Sequence, residues 1–358
     1  MPSLKEIKGR INSISSTLAI TSAMKMVASA KLQKAQMAIQ NMLPYERRLH
    51  SMLIDLMGAM NISAAASEDG SVRGSGSAER GFDQSGDRLS LSNRHDLAGI
   101  DGAYSLMAQR EVRKVAIVAF ASNSSLCGAF NSNAIREATA VINEYRASGL
   151  GDADITVYSV GRKMAEAMKK LGFPSPADFT KMSDSPSYDA ASALAQELFD
   201  GFVSGRFDKV ELVYNHYKST SSQPTTRQTY LPLSLADATA DLQAGKITDS
   251  ASETDTNKVA EPVGAPVVRQ GSPTTEDLIV EPSKEALIAT LLPKVIRLRI
   301  FTTLLDSAAA EHAARTVAMQ LATDNGNDLL QELTLEYNKG RQQKITSEIL
   351  DLVGGSMQ

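Results

Sequence analysis

The chain has no tryptophan and one cysteine, Cys127, in 358 residues. A lone thiol excludes an internal disulfide and any CxxC or zinc-finger spacing, and it points to a reducing compartment. No run approaches the roughly 18 apolar residues of a membrane span, and the start lacks the short apolar block of a secretory signal. Membrane contact is therefore expected only through a partner. The phosphate loop GxxxxGK[ST], the dinucleotide loop GxGxxG and the zinc motif HExxH are all missing. The four histidines are scattered, and Glu311 beside His312 has no companion at metal-ligand spacing. Neither a cofactor nor a catalytic centre is expected.

What the chain does have is a long amphipathic start. Steps of three and four residues from Leu4 through Ile7, Ile11, Ile14, Leu18, Thr21, Lys25, Ala28 and Leu32 to Met60 visit seventeen positions, fourteen of them apolar. A seven-residue repeat sustained that long predicts a helix wound against another helix. At 1.5 Å per residue it spans roughly 85 Å, more than an ordinary domain diameter. Pro44 is expected to kink or break it near Leu43. The polar Thr21 and Lys25 either interrupt a sticky stripe or mark a socket through which the rod runs.

A partner of equal length lies at the other end. Ser283 is expected to cap a short helix, and Pro293 to open a new one that runs to about Leu352 with no further proline. Val295, Leu298, Thr302, Leu305, Ala309 and His312 hold its seam, and Ala308, Ala310, Ala313, Ala314 and Ala318 permit close approach. Around Asp324, Asn325, Gly326 and Asn327 the helix is expected to be weak. Between the ends, runs such as Val112–Phe120, Ile155–Val160 and Lys209–Tyr217 alternate with helical stretches, which predicts a mostly parallel sheet covered by helices, with an edge strand over Gln223–Leu233. The expected fold is α/β: a long antiparallel coiled coil formed by the N- and C-terminal helices plus a central Rossmann-like α/β domain. The expected divisions are 1–62 for the first rod, 63–110 for a mobile insertion, 111–233 for the α/β domain, 234–276 for a second insertion or linker, and 277–358 for the short and long C-terminal helices.

Charge is uneven. The whole chain is at −4, yet residues 1–48 carry eight basic side chains against only Glu6 and Glu46. Without interleaved aromatics this does not suit base stacking, so nucleic acid is not expected; a solvated flank or an acidic protein surface fits better. The loop Ser124, Ser125, Leu126, Cys127, Gly128 has too few glycines and no lysine to cradle a phosphate. Asp306 and Glu311 read as a solvated helix face. An α/β enzyme with a helical arm and a passive coiled-coil tether are the competing readings.

The residues at both ends resemble one family. Ile7, Lys8, Gly9, Arg10, Ile11 and the run Ile20–Ala28 look like the start of the gamma subunit of F-type ATP synthase. Ala309–Arg315 with Ala322–Gly326, and Tyr337–Gln342 with Ile345–Glu348, look like its second and third signatures. The resemblance implies a non-catalytic central rotor stalk, its coiled coil inside a ring of alpha and beta subunits, its foot on an ion-driven c-ring beside the epsilon subunit. It places the protein peripherally at the cytoplasmic face of a bacterial inner membrane, and a signature beginning almost at Met1 favours a bacterial over an organellar source. It also implies roles: Met24 and Lys25 low on the shaft near acidic beta-subunit loops, Arg341, Gln342, Thr346 and Glu348 at a higher rotor-stator contact, and Glu281 near the foot. Where the family usually carries Asp and Arg, this chain has Asn123 and Ser124, which puts an ionic role for that loop in doubt. The insertions lack the cysteine pair of the redox-regulated chloroplast form.

Overall fold

A computed structural model describes residues 3–59, 106, 110–233 and 284–355. Two helices dominate it: α1, Leu4–Ala59, and α6, Lys284–Gly355. Every seam position of α1 from Leu4 to Leu53 is buried or half-buried, Thr21 and Lys25 included. The helices run antiparallel. Thr323 Oγ1 donates to Thr21 Oγ1 at 3.2 Å, Leu32 packs on Ala309 and Ala313, and Thr302 Oγ1 donates to Glu46 Oε1 at 3.2 Å.

Neither proline divides its helix. Pro44 lies inside α1, and Pro293 lies inside α6 rather than opening a new helix. A proline in a helix interior costs about 3 kcal/mol. Burial of neighbouring side chains, each worth about 1.5–3 kcal/mol, offsets it: Leu49 and Leu53 follow Pro44, and Ile288, Leu292, Val295 and Ile296 flank Pro293. Nor is α6 weak at Gly326. A methyl group there would lie 2.6 Å from Leu18 Cδ2, so glycine permits the helices to touch. Gly340 does the same against Leu4, at 3.1 Å.

The middle of the chain forms β1, Val115–Phe120, α2, Phe130–Ala147, β2, Ile155–Val160, α3, Arg162–Lys170, α4, Thr180–Asp184, α5, Tyr188–Val203, β3, Lys209–Asn215, and β4, Thr225–Leu231. The strands lie in the order β2-β1-β3-β4; β1 is parallel to β2 and β3, and β4 is antiparallel to β3. Alternate residues serve opposite faces. Val115, Ile117 and Ala119 meet α2 and α3, while Ala116, Val118 and Phe120 meet α5 and the first half of α6. The short α4 was not legible in the sequence. A charge sits inside the β3 run: Glu211 is 1% exposed and is held by Arg227 Nε at 2.7 Å, Lys209 Nζ at 2.7 Å and Tyr145 Oη at 2.6 Å. Burial pushes its carboxyl up, but these hydrogen bonds outweigh burial and hold it below the usual carboxylate value.

Most of 63–110 and all of 234–276 lie outside the described residues. Leu106 is an exception: it is fully buried, and its carbonyl accepts from Leu233 N–H at 2.9 Å.

Candidate functional surface of the shaft

Three stretches of the shaft differ in what surrounds them. Lowest is the joint with the α/β domain, where α6 from Thr303 to Glu311 is buried almost all round. In an open α/β sheet, ligands lie at the carboxyl ends of the strands where strand order reverses. Here that crevice falls between β1 and β3, and α6 fills it: Ala310 and Ala314 pack on Cys127, Phe130 and Tyr217. The space where such a fold would receive a nucleotide is taken by the chain's own helix.

Polar ties fix α6 there. Asp306 Oδ2 lies 2.6 Å from His216 Nδ1, and its Oδ1 accepts from Tyr217 N–H at 2.9 Å. Arg315 donates to Ser124 Oγ at 2.6 Å and pairs with Glu311 Oε1 at 2.8 Å. Asp306 and Glu311 thus turn inward, against the expectation of a solvated face; Glu311 is only 7% exposed. Burial raises the Glu311 carboxyl above its usual value despite Arg315. Sequence spacing gave no signal for the ties to His216, Tyr217 and Ser124, because each joins residues about 90 or more positions apart.

The middle shaft carries unlike flanks. Lys5, Lys8, Arg10, Lys31 and Lys34 of α1 are exposed, and α6 exposes Asp324, Asp328, Glu332 and Glu336. A four-residue interval sets those four carboxylates in a ridge along one side of α6. Met24 and Lys25 are half-buried at the edge of the α1 seam, beside the fully buried Ala28. Ile20, Met26 and Val27 point outward, 58–69% exposed.

Among the described residues, α6 continues alone past the Leu4–Gly340 contact. Residues 341–350 are all exposed, among them Arg341, Gln342, Thr346 and Glu348. Thr346 Oγ1 donates to the Gln342 carbonyl at 2.8 Å, and Lys344 lies 3.8 Å from Glu348. Ile345, Ile349 and Leu352 form an uncovered apolar stripe there. Arg341 lies eighteen residues, about 27 Å, beyond Thr323, so the structure does not bring Met24 and Lys25 together with the tip residues. Glu281 lies outside the described residues. Among the described residues no helix is long and apolar enough to cross a membrane.

The described residues form a two-helix shaft carrying an α/β domain whose switch-point crevice is filled by its own helix. Residues 3–357 match the family model described as ATP synthase. The ATP synthase gamma chain of Phocaeicola vulgatus is 47% identical over the full length of both chains, and that of Bacteroides thetaiotaomicron is 45% identical, again over both full lengths. The chain belongs to the ATP synthase gamma chain family. Among solved structures, a chain of the Euglena gracilis mitochondrial ATP synthase rotor aligns with a TM-score of 0.51 at 18% identity, covering 96% of this chain and 98% of that one, which shows the shared fold.

Proposed function

We propose that this chain is the central rotor stalk of an ATP synthase and performs no nucleotide chemistry itself. The observation that carries this reading is the asymmetry of the shaft: a basic α1 flank, an acidic α6 ridge and a single-helix tip. Such a shaft, turning inside a ring of three identical catalytic units, presents a different surface to each. A unit's equilibrium between conformations shifts by the difference in its contacts with the surface it meets. Rotation then becomes an ordered change in nucleotide affinity without any group on the shaft touching nucleotide.

On this reading the partners are alpha and beta subunits around the upper shaft, and an epsilon subunit and a c-ring at the foot. The protein sits peripherally at the cytoplasmic face of a bacterial inner membrane, driven by protons or sodium ions. Met24 and Lys25 contact stator loops low on the shaft, Arg341, Gln342, Thr346 and Glu348 contact the stator higher up, and Glu281 lies toward the c-ring. The full self-occupation of the switch-point crevice by α6 supports the non-catalytic role.

The test is charge reversal on the basic flank in the assembled complex. Lys25→Glu combined with Lys31→Glu should lower the torque of ATP-driven rotation and loosen coupling between hydrolysis and ion transport. Unchanged torque and coupling in a complex of normal composition would refute the electrostatic contact.

A further inference from the structure

The joint between foot and shaft must carry whatever torque passes between them, and this inference rests on the rotor reading above. Apolar contacts in the crevice resist separation but are not directional, so by themselves they oppose twisting poorly. Hydrogen bonds have preferred angles and do oppose it. Tyr230 to the Ile296 carbonyl, Arg297 to Gln196 and Gln36 to Tyr217 supply some of them, and within the crevice Asp306 and Arg315 supply others. They are nine residues apart, two and a half helical turns, and so leave opposite sides of α6. Asp306 reaches His216 and Tyr217 at the end of β3; Arg315 reaches Ser124 in the loop after β1. A helix held from one side pivots about the tie. Held from both sides, it does not.

We propose that Asp306 and Arg315 are positioning residues that lock the α/β domain to the shaft against torsion. The Arg315 arm is a hydrogen bond to a serine hydroxyl, with no titratable partner among the described residues of the α/β domain. The Asp306 arm is different, because its partner is a histidine. The hydrogen bond that His216 donates to Asp306 raises the His216 pKa above its ordinary value, against the opposing effects of burial and of Lys218. The cleft of about 670 Å³ beside this pair also brings Glu46, Arg47 and His50 of α1 and Arg299 of α6 toward it. With a raised pKa the ion pair is fully present below the ordinary histidine value and is lost as pH rises through the raised one. The joint is therefore stiffer in acid and more compliant in base.

The experiment uses the assembled complex with its catalytic ring fixed to a surface and a bead on the foot, reading the angular variance of the bead during pauses. For the unaltered chain, variance should rise as pH climbs from about 6.5, the ordinary histidine value, through the raised one. Asp306→Asn keeps an acceptor for Tyr217 N–H but abolishes the ion pair; it should raise variance at the lower pH about twofold and flatten the pH response. His216→Gln should flatten the response too, and decides the matter if the Asp306 variant fails to assemble. Arg315→Ala should raise variance at every pH while leaving the slope. A purely structural role would not link these variants to the pH slope. Variance and slope equal to the unaltered chain in all three variants would overturn the lock, whereas a foot that does not turn even in the unaltered complex would overturn the rotor reading and the lock with it.

Discussion

Acidifying the full chain from about pH 7 to about pH 4.5 should weaken it through His312, and the size of the effect follows from its surroundings. His312 occupies the α6 seam, half-buried, and its Nδ1 is buried without a hydrogen-bond partner. Burial, then the nearby charges of Arg315 and Lys31, push its pKa down from 6.5 to about 4. The folded state therefore refuses a proton that the unfolded chain accepts, so stability falls as pH drops from the ordinary histidine value toward the depressed one. Over that interval the full effect is about 2.5 kcal/mol, and partial exposure of the ring discounts it to about 1–2 kcal/mol. Glu311 next to it works in the opposite direction, since a raised carboxyl pKa favours the folded state in acid. The pH dependence of one chain alone would mix the two. Comparing the chain with its His312→Leu variant in urea unfolding separates them: the variant should lose about 1–2 kcal/mol less than the parent over this interval. Equal losses in both would refute the reasoning, and so would an imidazole that titrates near 6.5 in the folded chain.

Three further substitutions address the fold. Gly161 has φ +98°, and a Cβ there would lie 2.0 Å from the Ala121 carbonyl oxygen, so Gly161→Ala should cost about 3 kcal/mol or more in urea unfolding. Arg227→Met removes the ion that faces Glu211 while Lys209 remains, which should cost about 3 kcal/mol, the low end for a broken buried pair; a smaller loss would mean that Lys209 alone satisfies the carboxylate. At Gly326 the atom in the way is the end of the Leu18 side chain, so Gly326→Ala should be nearly neutral, its closer contact offset by about 1 kcal/mol of helix propensity. Gly326→Leu cannot be absorbed that way and should lower stability by about 1–3 kcal/mol, measured by thermal unfolding.

Much of the architecture was legible because it is periodic. The three-and-four spacing from Leu4 to Leu53 named the buried face of α1 residue by residue, and the β-branched run Val115–Phe120 announced a strand buried on both sides. The joint was not legible. Asp306, Arg315 and Glu311 look like any exposed charges on a helix; only the partners of Asp306 and Arg315 after β3 and β1, and the burial of Glu311, show otherwise. Glu211 had the same difficulty inside an apolar strand, since what stabilises it comes from β4 and α2.

The sequence by itself determined which apolar residues would face inward on α1 and on the strands, because side-chain direction follows local backbone geometry. Only the tertiary structure decided that two prolines would be carried inside unbroken helices, that Gly326 would be a point of contact with Leu18, and that α6 would occupy the crevice between β1 and β3. Each of those outcomes balances a local cost against contacts between residues far apart in the chain, and that balance has no signature in any short stretch of sequence.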